Sequence, residues 1–187
     1  MEHSVFKKIN IWLRHRAYLP ETMSGFALIE TLVAITVLVA GLTGPLSFTA
    51  QSIAAAQEVK QQVTAFFLMV EGAEHVRQTR DSNMLALAPW LSGLEACFSG
   101  VCDIDVSLDS VIDCPGGACA PLFFEEATGR YGHGSGSGWT QTQFTRTISV
   151  TETEPDREAK VLVTVEWFHR DSPRSITAEA DLFNWQQ

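Results

Sequence analysis

Residues 26–48 read FALIETLVAITVLVAGLTGPLSF, an apolar run of 23 positions broken by a single charge, Glu30. Coiled as a helix, this run is roughly 34 Å long, about the thickness of the hydrocarbon core of a bilayer. Gly41, Gly44 and Pro45 fall two thirds of the way along it, and two weak helix formers beside a missing amide predict a kink or a local melt there. Further on the pattern changes. Ile53, Ala56, Val59, Val63, Phe66, Phe67, Val70, Ala73 and Val76 recur at three- and four-residue intervals, with Gln57, Lys60, Gln61, Gln62, Glu71 and Glu74 on other faces. That spacing predicts an amphipathic helix over 49–83 whose apolar stripe lies under a sheet, with Met69, Phe66 and Phe67 as packing residues. Asp81, Ser82 and Asn83 favour a turn, and Pro89 stops any continuation. Arg77 and Arg80 suit the negative end of the helix dipole.

The period switches from three-and-four to two after residue 143. In QFTRTISVT, Phe144, Ile148 and Val150 share a face; in KVLVTVEWF, Val161, Val163, Val165 and Trp167 do; in RSITAEADLFNW, Ile176, Ala178, Ala180 and Leu182 do. Turn residues around Pro155 and Asp156, and again at Asp171 to Pro173, separate the three runs. The 144–187 segment is therefore expected to be an antiparallel meander. The fold class that follows is α+β: a long N-terminal helix, one half membrane-spanning and one half amphipathic, packed on a C-terminal antiparallel sheet.

Charge adds a direction to this picture. The 187 residues carry −9 overall, but residues 1–25 hold Lys7, Lys8, Arg14 and Arg16 against Glu2 and Glu21, a local +2. That leaves 9 basic and 20 acidic residues, −11, for the remainder. Positive charge flanks the apolar run only on its N-terminal side until Lys60, which keeps the N-terminus in the cytoplasm and exports the rest. A body so acidic repels phosphate backbones and argues against nucleic acid as a partner. An ordinary secretory signal places its apolar stretch before the cleavage site. Here a cut between the basic leader, 1–25, and the apolar run keeps the hydrophobic helix in the mature chain.

A basic leader ending in Gly25, then Phe26, then Glu30 as the fifth residue of an otherwise apolar helix resembles the prepilin processing motif of type IV pilins and pseudopilins. The stretch EGAEHVRQTRDSN and the run FTRTISV…VLVTVEWF…RSITAEADLFNW resemble corresponding parts of PilV-like minor pilins; residues 84–143, rich in cysteine and glycine, carry the resemblance weakly. The resemblance implies cleavage after Gly25 by a prepilin peptidase and N-methylation of the new terminus at Phe26. It also implies assembly through Glu30, whose carboxylate pairs with the Phe26 amine of a neighbouring subunit. Its implied partners are other pilin subunits, the inner-membrane assembly machinery and, before assembly, membrane lipid. The implied location is the inner membrane, with the C-terminus outside, and then a filament or the cell surface. The competing reading is an uncut, single-pass, exported binding module with a disulfide- or metal-stabilised ectodomain.

Cys97 and Cys102 (CFSGVC) and Cys114 and Cys119 (CPGGAC) repeat one spacing, which admits disulfides or a tetrahedral zinc site. Export favours disulfides. Pairing within each short loop contributes roughly 2 kcal/mol per bond by chain entropy, and the two other connectivities stay open. Asp103, Asp105, Ser107 and Asp109 alternate with Ile104, Val106 and Leu108, which reads as a half-buried strand with a polar outer face. As a calcium loop it lacks the glycine and terminal carboxylate required, so no metal is assigned. Glycines from 129 to 138 read as a flexible hairpin loop, without the Gly-Lys-Ser/Thr ending of a phosphate cradle. His75, His133 and His169 have no nucleophile or ligand partner at a telling spacing and read as exposed or loosely packed. No cofactor and no enzymatic activity are expected.

Overall fold

The computed structural model describes residues 24–98 and 100–185, so residues 1–23 of the basic leader lie outside the described residues. The chain divides into two units, Met1–Ile53 and Ala54–Gln187. One α-helix, α1, covers Ser24–Leu85.

In the first unit α1 is helical throughout its described part, including Gly41, Gly44 and Pro45. The expected local melt is therefore absent. A proline removes one amide and crowds the carbonyl four residues earlier, here that of Gly41, where the lack of a side chain leaves the backbone room to adjust. The hydroxyls along this stretch bond back to their own helix: Thr31 to the Leu28 carbonyl at 3.0 Å, Thr36 to Val33 at 2.8 Å, Thr43 to Ala40 at 3.1 Å and Thr49 to Pro45 at 2.8 Å.

In the second unit the helix ends at Leu85, two residues past the expected boundary. Asn83 stays helical and uses its side-chain amide to hold the following turn, donating to the carbonyls of Trp90 at 3.3 Å and Ser92 at 2.7 Å. Eight strands follow: β1 Cys102–Asp105, β2 Ser110–Asp113, β3 Phe123–Glu125, β4 Arg130–Gly132, β5 Trp139–Gln141, β6 Thr145–Glu154, β7 Glu158–His169 and β8 Ser172–Phe183. The meander β6–β7–β8 is present, with Val161 between Val150 and Ala180, and Val163 between Ile148 and Ala178. It is the larger part of a five-stranded sheet in the order β2-β1-β6-β7-β8; β3 to β5 form a small sheet in the order β4-β3-β5. The architecture is α+β, a long apolar-to-amphipathic helix with an antiparallel sheet.

Alternation decides the core. Val161, Val163, Val165 and Trp167 are all buried, as are Phe144, Ile148, Val150 and Leu182, whereas Glu166 and Phe168 between them face outward. The helix supplies only part of the expected stripe: Val76 and the packing residue Met69 are buried, and Val70 and Ala73 pack half-buried against the core. Ala65, Leu68, Met69, Gly72, His75, Val76 and Met84 are buried, while Val59, Val63, Phe66 and Phe67 are exposed, Phe67 to 65%. Gly72 explains the choice. A Cβ there would sit 3.1 Å from Arg146 Cδ and 3.1 Å from Val163 Cγ1, so the helix approaches the sheet closest where it has no side chain.

Two further expectations are corrected. The 103–109 stretch is not one half-buried strand: β1 ends at Asp105, residues 106–109 turn, and β2 begins at Ser110, with all four β1 residues buried, carboxylates included. The glycine-rich segment is not one loose loop either. Gly132 is in β4, and Gly134 lies under the Trp139 ring, where a Cβ would be 2.3 Å from the indole.

Candidate functional site

Of the expected processing and assembly residues, Gly25 falls in the first turn of α1, and Phe26 and Glu30 stand four residues apart, on one face of the helix. Phe26, Leu28, Ile29, Leu32 and Val33 around them are more than half exposed. Glu30 has neither a hydrogen bond nor an ion pair among the described residues. The helix is long and apolar enough to cross a membrane by length and composition. Its threonine hydroxyls are satisfied internally, which is what hydrocarbon demands of polar groups. That leaves one unpaired carboxylate on an otherwise apolar rod.

The four cysteines form two disulfides, Cys97–Cys102 and Cys114–Cys119. Among the described residues no cysteine is free, and no group of three or more His, Cys, Asp and Glu side chains is placed to hold a metal ion.

The second unit contains a polar cluster that sequence reasoning missed. Arg146, on the inward face of β6 between Phe144 and Ile148, is 0% exposed. Its Nε donates to Asp103 Oδ1 at 2.6 Å, Nη1 to Glu71 Oε2 at 2.9 Å and to the Leu68 carbonyl at 3.1 Å, and Nη2 to the Ile104 carbonyl at 2.8 Å. One guanidinium thus ties α1, β1 and β6 together. Asp103, also 0% exposed, accepts from the Ile104 amide at 2.7 Å and meets His133 Nε2 at 2.7 Å through its other oxygen. The His133 amide donates to Asp105 Oδ2 at 2.9 Å, so two buried carboxylates fasten the middle of the glycine-rich segment. The other Asp105 oxygen takes the Ser107 amide at 2.9 Å, the Ser107 hydroxyl and the Leu108 amide at 3.3 Å. His75 and His133 are therefore packed groups, not exposed ones; His75 Nε2 lies 3.8 Å from Asp109 Oδ1. His169 Nδ1 meets Gln61 Oε1 at 2.9 Å. The available signal was parity. Position 146 shares the inward face with Phe144, Ile148 and Val150, and a cation there requires buried acids elsewhere.

Two of these groups titrate away from their ordinary range, and both act on the acid side. Burial holds the His75 imidazole below its usual value, with Asp109 and Glu71 opposing and Arg146 reinforcing the effect. Burial would raise Asp105, but hydrogen bonds from the Ser107 hydroxyl and the His133, Ser107 and Leu108 amides outweigh it and bring the carboxyl below its usual value. A histidine with a depressed folded pKa stabilises the fold fully above its unfolded value, about 6.5, and loses that contribution as pH falls through the folded one. A carboxyl with a depressed folded pKa does the same below about 3.9. The thermal midpoint is thus expected to be flat above about pH 7 and to fall in two stages on acidification. Circular dichroism melts at a series of pH values check this, and His75→Gln is expected to remove the upper stage alone.

Neither family models, curated proteins nor solved structures give a match to this chain.

Proposed function

We propose that this chain is a minor pilin or pseudopilin, a structural subunit of a type IV pilus or a related filament. In this reading a prepilin peptidase cuts after Gly25, Phe26 becomes the methylated N-terminus, and the helix leaves the inner membrane by packing among other subunits. The observation that carries it is Glu30: a single unpaired carboxylate, one helical turn from Phe26, in the 26–48 stretch of the helix, whose apolar side chains are uncovered. An isolated charge near a bilayer core is costly, and a new amine on an adjacent subunit offsets that cost only in one register. Two disulfides in the second unit fit an extracellular location. The uncovered Val59, Val63, Phe66 and Phe67 fit further helix packing between subunits.

Intact mass and N-terminal sequencing of the native protein test the proposal. The expected product begins at Phe26 and carries one added methyl group. A chain that keeps Met1 and stays in the membrane overturns it and leaves the anchored exported module. A second expected outcome concerns the cut itself. Gly25→Asp puts a branched, charged side chain where the peptidase must pass, and the protein is expected to accumulate in the membrane at leader-bearing mass. Immunoblotting of membranes against the wild type reads this directly.

A further inference from the structure

Gln143, Thr145, Glu166, Trp167 and Phe168, with the 117–119 segment of the second disulfide loop, surround a crevice of about 280 Å³ at one end of the five-stranded sheet. Thr145 is the register partner of Glu166. Glu166 and Phe168 alternate with the buried Val165 and Trp167, so they stand on the outer face of the sheet, away from the core.

The polar groups of this crevice have capacity to spare. The side chains of Gln143, Thr145 and Glu166 make no hydrogen bond or ion pair among the described residues. Beside these groups Phe168 presents its ring to solvent, 61% exposed.

That combination narrows the ligand class. Among the described residues no cation lines the crevice, so a phosphate or carboxylate would face Glu166 uncompensated. One carboxylate without further charged ligands is a poor cation cage. A purely apolar ligand would cover Gln143, Thr145 and Glu166 without pairing them. What fits is a neutral molecule with hydroxyls at its rim, which donate to Glu166 and both donate to and accept from Gln143 and Thr145. Its flat face carries C–H groups whose slight positive charge suits the negative face of an aromatic ring. The volume lies just under the range of about 300–1,000 Å³ for small-molecule pockets, which suits one sugar ring.

We propose that this crevice binds a neutral saccharide, with one pyranose ring lying on Phe168 and its hydroxyls bonded to Gln143, Thr145 and Glu166. The site belongs to the second unit and is independent of the filament reading; an uncut anchored module would carry it equally.

Saturation-transfer NMR on the full chain tests it, in a polyoxyethylene detergent so that no sugar head group competes. The probes are methyl α-mannoside, methyl β-galactoside and N-acetylglucosamine, each at about 10 mM, a concentration that reveals millimolar binding. At least one is expected to receive saturation, most strongly at the C–H groups of one ring face. Phe168→Ala is expected to weaken that binding about tenfold and Gln143→Ala about threefold, while Phe168→Tyr keeps the ring and retains binding. Thr177→Ala, farther along the same outer face, is expected to leave it unchanged. Failure of all three sugars, undiminished binding by Phe168→Ala, or capture of a short Ser-Gly peptide in their place overturns the assignment.

Discussion

Under the proposed pilin reading, the Glu30→Gln protein is expected to be cut after Gly25 and then to be largely missing from filaments, its abundance in sheared fibres lowered at least about tenfold. Cleavage is retained because the change lies five residues past the scissile bond and alters neither Gly25 nor Phe26. Assembly fails for an energetic reason. The helix around Glu30 is apolar and uncovered, so in a membrane-spanning monomer the carboxylate, one turn inside the run, would be poorly solvated, at a cost below the roughly 2.5–3.5 kcal/mol of a charge at the helix centre. In the proposed filament, pairing with the amine of a neighbouring Phe26 would remove that cost and fix the stagger between subunits. Glutamine removes the cost and the pairing together, so the helix becomes content in lipid and loses its reason to leave. Quantitative blots of sheared and membrane fractions, with mass analysis of the retained chain, separate the two steps. A Glu30→Gln protein that enters fibres at wild-type levels removes the assembly role; one that is also uncut moves the effect to processing.

How much of this was legible depends on how local each signal is. The strands β6 to β8 were visible because alternation is local: Val161, Val163, Val165 and Trp167 are buried as their period requires. The 26–48 helix and its solitary charge needed only the order of residues. The amphipathic half of α1 was legible at Met69, Val70, Ala73 and Val76 and misled elsewhere, because it carries two apolar stripes. Val59, Val63, Phe66 and Phe67 fit the helical period as well as Ala65, Leu68, Met69 and Val76 do. The choice between them rests on Gly72 and His75, which hydropathy passes over and which face the sheet. The polar cluster was illegible for a different reason. Arg146 meets partners 43 and 75 residues away, Asp103 and Glu71, and no window of sequence contains all three. The same long-range pairing overturned the reading of residues 103–109, because Asp103, which seems to mark a wet face, is the counter-charge of the buried Arg146 guanidinium, and Asp105 is buried under bonds from Ser107, Leu108 and the distant His133 amide. For the 129–138 glycines, composition suggested looseness, yet Gly132 and Gly134 are where bulk is excluded by Asp105 and Trp139.

Removing the guanidinium is expected to be the most damaging single change to the second unit. Arg146→Met keeps much of the side-chain volume but deletes four hydrogen bonds and leaves Asp103 as a buried anion with His133 Nε2 as its one remaining side-chain partner. Breaking a buried pair from one side typically costs about 3–5 kcal/mol, a large share of the roughly 5–15 kcal/mol that holds a domain together. For a unit of this size that corresponds to a fall of roughly 10–20 °C in melting temperature. Arg146→Lys retains the charge but not the planar fork, and one ammonium cannot reach Asp103, Glu71 and the Leu68 and Ile104 carbonyls together, so a smaller loss is expected. The decisive comparison is Arg146→Met combined with Asp103→Leu. If the penalty of the single variant is mainly that of a stranded carboxylate, removing the carboxylate as well returns part of it, with a coupling of about 0.5–3 kcal/mol. Glu71, 36% exposed at its side chain, is free to hydrate once released. Denaturant unfolding of the full chain with both disulfides intact measures all three. A loss under about 1 kcal/mol for Arg146→Met would mean that the cluster is an ornament of the fold; the expected loss makes it the tie that fixes α1 against β1 and β6.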